Sequence, residues 1–78
     1  MSERCLIGWE SMAEMFQKRP GYCYQWKGEL YNLGLIWYQR PGSGYKDSRG
    51  KTITKPMVHF FPSEVRSWHR LKRQKGEL

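Results

Sequence analysis

Long apolar runs are missing from this 78-residue chain. None approaches the ~20 residues a helix needs to cross a bilayer, so no membrane partner is expected. The first twenty residues lack a basic segment followed by an apolar one, so no secretory signal is read. The terminal Lys75-Gly76-Glu77-Leu78 faintly resembles an ER-retention tail, which without such a signal is no address. Cysteine is scarce. Cys5 and Cys23 are too few for the disulfide framework of a small secreted domain and read as intracellular thiols. Internal repeats and low-complexity stretches are absent, and so is a Gly-rich phosphate loop. The acids are scattered and both histidines fall in the last twenty residues, so neither an enzyme nor any catalytic residue is expected. The spacing of Cys5, Cys23, His59 and His69 fits no compact zinc module, and no metal or cofactor is expected.

What the chain does have is aromatic bulk and positive charge. Four Trp, five Tyr and three Phe argue against disorder. A chain of this length forms one small domain and buries roughly 60–65% of its unfolded surface, too little for a deep enzyme cleft as well as a core. Lys and Arg number 14 against 7 Asp and Glu, a net charge of +7. Residues 1–39 are balanced: Arg4, Lys18, Arg19 and Lys27 offset Glu3, Glu10, Glu14 and Glu29. Residues 40–78 therefore carry the whole excess, and a field so concentrated attracts polyanions, either nucleic acid or an anionic membrane surface.

Three helices and a hairpin can be read. Trp9, Met12, Ala13 and Phe16 form one apolar stripe, predicting a helix over 9–17 that Lys18-Arg19-Pro20-Gly21 breaks. Pro20 then opens a second helix over 20–33, with Cys23, Trp26, Leu30 and Leu33 inward and Gly34 as its stop. Two β-rich stretches, around Leu35–Gln39 and Met57–Phe61, frame a hairpin over 35–61 with a long, mobile, basic tip. A last helix over 62–75 carries a narrow stripe of Val65, Trp68 and Leu71 and several cations near its end. Residues 1–6 and 76–78 are expected to fray. Trp9, Trp26, Trp37, Phe60 and Trp68 are expected in the core.

Helix, tight turn, helix, basic hairpin, helix is the layout of a winged DNA-binding domain. The residues agree. Trp9-Glu10-Ser11-Met12-Ala13-Glu14-Met15-Phe16 is similar to the first helix of the excisionase-like, MerR-type winged helix-turn-helix family of phages, prophages and bacteria. Arg19-Pro20-Gly21-Tyr22-Cys23-Tyr24-Gln25-Trp26 resembles its recognition-helix start, and Leu33-Gly34-Leu35-Ile36 its exit into the wing. Val58 to Trp68 resembles the closing strand and helix. The resemblance spans roughly residues 6–72. Arg19 departs from it, standing where the family has a Ser or Thr cap, and the wing is longer than the family's.

The expected fold is thus mainly α with a small β-hairpin: a winged helix-turn-helix of two helices, a two-stranded basic wing and a C-terminal helix, one domain over 1–78. The expected partner is double-stranded DNA. Near the start of the second helix Arg19, Gly21, Tyr22, Tyr24, Gln25 and Lys27 face outward. Gln25 suits an adenine edge, Arg19 a phosphate or guanine, and Tyr22 a phosphate or thymine methyl. In the wing, Arg40, Tyr45, Lys46, Arg49, Lys51 and Lys55 are candidates for backbone or minor-groove contact. Lys18, Arg66, Arg70 and Arg73 are candidate phosphate contacts. The resemblance implies a small transcriptional regulator or an excisionase-like architectural factor, cytoplasmic and nucleoid-associated. Such a factor acts cooperatively with itself or beside a recombinase- or terminase-type partner. With no long coiled coil or effector segment in the sequence, a ligand-sensing MerR-type regulator is disfavoured. The alternatives are a terminase small-subunit-like packaging module, an adaptor for an acidic protein, and an RNA or single-strand binder, for which Tyr38 and Tyr45 offer stacking faces.

Overall fold

Val58, His59 and Phe60 are all buried, so this stretch needs cover on both faces. In the computed structural model, which describes residues 3–47 and 49–77, it lies in the middle strand of a sheet. The described elements run β1 (Leu6–Ile7), α1 (Trp9–Phe16), α2 (Pro20–Tyr24), α3 (Lys27–Asn32), β2 (Ile36–Gln39), β3 (Met57–Phe60) and α4 (Pro62–Gln74). The sheet is antiparallel with order β1-β3-β2. Phe60 is flanked by Leu6 on one side and Ile36 on the other.

The described residues therefore form four helices and a three-stranded antiparallel sheet, where two strands were expected. The extra strand, β1, is two residues long and shows no alternation to read. Leu6, within the stretch expected to fray, pairs with Phe60 of β3. The Glu3 carboxylate accepts from the backbone N–H (2.9 Å) and hydroxyl (2.6 Å) of Ser63, capping α4 from sixty residues away. At the other end, Gly76 and Glu77 are also held: the Glu77 N–H donates to Lys72 O at 3.0 Å, and its carboxylate pairs with Lys72. Residues 1, 2 and 78 of the expected frayed ends lie outside the described residues.

α1 buries Met12 and Ala13. Gly8 precedes it at φ 93°, a left-handed conformation that favours glycine, and its N–H donates to Val58 O at 2.8 Å, tying the helix start to β3. α1 ends when Gln17 turns left-handed (φ 55°) and Lys18 N–H reaches back to Ala13 O at 2.9 Å. A side chain at that φ costs about 1 kcal/mol or more. Gln17→Gly is accordingly expected to stabilise the fold by about 1 kcal/mol, read as a higher urea midpoint at unchanged slope.

The single helix expected over 20–33 is two helices. At Trp26 the backbone leaves helical geometry (φ −101°, ψ 12°), and its N–H bonds three residues back, to Cys23 O. The break lets Trp26 set its indole edge-on to Trp68 (5.4 Å) and Tyr22 (4.6 Å) while Cys23 and Leu30 stay buried. Gly28, a weak helix former, follows it directly. The change of phase throws Leu33 outward to 57% exposure, against the inward position its spacing predicted. Gly34, left-handed at φ 75°, then turns the chain so that Leu35 N–H meets Leu30 O at 2.9 Å.

Val65 and Trp68 of α4 are buried, but Leu71 is 55% exposed and not part of the inward stripe. α4 meets α3 instead through Glu29, whose carboxylate accepts from Lys72 Nζ and Trp68 Nε1, each at 2.9 Å. Those two hydrogen bonds, from Lys72 first, lower the Glu29 pKa, and the same bond leads the rise at Lys72. Of the aromatics expected inside, Phe60 and Trp68 are buried; Trp9, Trp26 and Trp37 are half-buried at the edges. His59 is buried beside Trp37, and its Nδ1–H donates to Met57 O at 2.8 Å. Cys5 and Cys23 are free thiols; burial raises the pKa of Cys23.

Candidate nucleic-acid interface

The chain between β2 and β3 is built around Asp47. Its carboxylate oxygen accepts the N–H groups of Arg49 and Lys51, each at 2.9 Å, and its own N–H donates to Lys51 O. Lys46 and Thr52 pair as an isolated bridge, and Ile53 N–H donates to Tyr45 O at 3.0 Å. Among the described residues the basic tip, expected to be long and mobile, is a turn closed by these hydrogen bonds. The Asp47 carboxylate that shapes this turn accepts backbone donors and pairs with none of the turn's cationic side chains among the described residues.

This turn folds back beside the helices and closes one wall of an open cleft of ≈ 960 Å³. Gly21 and Tyr24 of α2, Gln25 just after it, and Tyr45, Lys46, Arg49 and Lys51 of the turn line it together. The start of α1, with Trp9, Glu10 and Ser11, also lines it. Tyr24 is 52% exposed, with its ring edge-on to Trp9 at 5.5 Å and its hydroxyl accepting from Lys27 Nζ at 3.1 Å. Gln25 is exposed at the end of α2, its Nε2 donating to Tyr22 O at 2.8 Å.

The cleft brings together the outward α2 residues and the core of the basic turn, but not every residue expected at the interface. Arg19 caps α2 with backbone alone and stands exposed outside the cleft, as do Lys27, Arg40 and Lys55. Tyr22 is not outward: it is half-buried, with its hydroxyl 3.1 Å from His69 Nε2. Lys18 and Arg73 lie with it in a separate recess, and Arg66 and Arg70 are exposed along α4. Sequence reasoning missed Glu10, Ser11 and Ile53 as cleft residues, and nothing in their spacing pointed there.

No known protein family, curated protein or solved structure matches this chain. The functional reading accordingly rests on the site. Among the described residues no three of His, Cys, Asp and Glu gather as metal ligands, and no helix is long and apolar enough to cross a membrane.

Proposed function

We propose that this protein binds double-stranded DNA as a winged helix-turn-helix. In this reading α2 enters the major groove and the β2–β3 turn grips the backbone beside it. The supporting observation is the cleft that sets the exposed face of α2 against Lys46, Arg49 and Lys51. A helix fits the major groove, side chains on its exposed face reach base edges, and flanking cations hold the phosphates. Gln25 is the candidate for an adenine edge, once its amide leaves the Tyr22 carbonyl. The role that follows is a small regulator or an excisionase-like architectural factor.

The test is fluorescence anisotropy against labelled duplex DNA, single-stranded DNA and duplex RNA across a salt series. Duplex DNA is expected to bind best, with log K falling against log salt at a slope of roughly −4 to −6, as about five to seven phosphate contacts predict. No binding to duplex DNA at low salt would sink the reading. A preference for single strands or A-form duplex would move it to RNA or single-strand recognition.

A further inference from the structure

α2 has a second polar flank. Phe16, Gln17, Lys18, Tyr22, His69 and Arg73 line a recess of ≈ 600 Å³ that shares no residue with the loop cleft. Phe16 stacks on the His69 imidazole at 4.3 Å and 28°, which fixes the plane of the ring. The Tyr22 hydroxyl lies 3.1 Å from His69 Nε2, and Lys18 Nζ sits 5.5 Å from the Tyr22 ring centroid. Among the described residues neither Lys18 nor Arg73 takes part in an ion pair. Two cations, an imidazole and a phenol thus converge on a recess that supplies no anion of its own.

We propose that this recess is an oxyanion site that takes a phosphate group, with Lys18, Arg73 and Tyr22 as donors and His69 as its proton-coupled member. The part of the proposal that names the source, the DNA strand opposite the one held by the loop, rests on the duplex-binding reading. A helix lying in a major groove about 12 Å wide has a phosphate backbone on either side. Gly21 and Tyr24 of α2 line the cleft with Lys46, Arg49 and Lys51, while Tyr22 of the same helix lines the recess with Lys18 and Arg73.

The coupling follows from what faces the imidazole. Phe16 from α1, Tyr22 from α2, and Trp26 and Trp68 bring no charge; Lys18 from the α1–α2 turn and Arg73 from α4 bring positive charge. Burial first, then Arg73 and Lys18, hold the His69 pKa below its ordinary value. An anion between those cations relieves the repulsion, so binding takes up a proton from solvent. Protonation also reorients the hydrogen bond. Nε2–H of the imidazolium must donate to the Tyr22 oxygen, which frees the hydroxyl hydrogen for a phosphate oxygen. The sign is fixed: anion affinity rises as pH falls and is lost again as pH rises through the pKa of His69 in the complex.

The experiment follows the two histidine rings of the full chain by NMR against pH, in sulfate and in chloride at equal ionic strength. Sulfate is the probe because its charge is constant over the range, and buried His59 is the internal reference. Sulfate is expected to raise the His69 pKa by about one unit. Arg73→Gln is expected to raise the His69 pKa in chloride and abolish the sulfate shift, which a merely structural role would not do. Duplex DNA affinity is then expected to rise up to about tenfold from pH ~7.5 to ~5.5 in the wild type and to stay flat in His69→Gln. An unchanged His69 titration in sulfate overturns the oxyanion site, whatever DNA does. A sulfate shift without duplex binding keeps the site and removes the DNA reading. A sulfate shift with pH-independent duplex binding removes the opposite strand as the source.

Discussion

Replacing Lys46, Arg49 and Lys51 together by glutamine is expected to weaken duplex binding about a hundredfold at low salt and to reduce the salt slope by about three. Each cation that neutralises a phosphate releases a counterion, so lost contacts appear in the slope as well as in affinity. The fold should not notice. The turn is held by backbone N–H groups of Arg49 and Lys51 on the Asp47 carboxylate, and glutamine keeps those donors. An unchanged thermal melt would certify this. Arg66→Gln with Arg70→Gln is the comparison, because these exposed α4 cations lie outside the cleft. If that pair costs as much affinity and slope as the loop triple, the cleft is not the interface and the protein is a diffuse polycation binder.

Phe60→Ala should all but abolish the folded state. The ring is fully buried in β3 between Leu6 and Ile36, and packs into the cluster that includes Met12, Leu30 and Val65. Truncating such a ring costs about 3–5 kcal/mol, from lost transfer energy and the cavity left behind. A domain this small has a total stability near the bottom of the usual 5–15 kcal/mol. Leu71→Ala is the matched control: half-exposed on α4, it should change stability by less than about 0.5 kcal/mol. Urea unfolding of both variants reads the difference directly, and similar midpoints would mean that the sheet is not where the core sits.

The long-range plan was legible where periodicity and punctuation agree. Trp9, Met12, Ala13 and Phe16 mark α1 within a residue, and Pro62 marks the start of α4. Legibility failed where tertiary packing overrides local pattern. The stripe Cys23-Trp26-Leu30-Leu33 implies one helix, but the indole of Trp26 seeks Trp68, and the break this requires has no local signature beyond Gly28. On α4 the inward face is Val65, Trp68, His69 and Lys72, a full i, i+3, i+4, i+7 set. Two of its members are polar, so a stripe drawn through apolar residues ran to Leu71 instead. β1 is too short to carry a pattern, and the ordering of the loop depends on one aspartate whose role emerges only when its backbone partners are seen. At the candidate site, sequence reasoning found the charges; in the separate recess it did not find the pairing of Tyr22 with His69, which joins residues 47 positions apart.

The placement of β1 against β3, clasped by Glu3 on Ser63, also sets an order of events during folding. The helices and the α1–α2 turn are made of contacts close in sequence and can form as soon as their residues are free. The first strand has no partner until Met57–Phe60 exists, so Leu6 and Ile7, though they precede every helix, are among the last of the described elements to find their place. On a ribosome, Leu6 and Ile7 wait unpaired while nearly fifty further residues are added, and the sheet closes only once Met57–Phe60 has emerged.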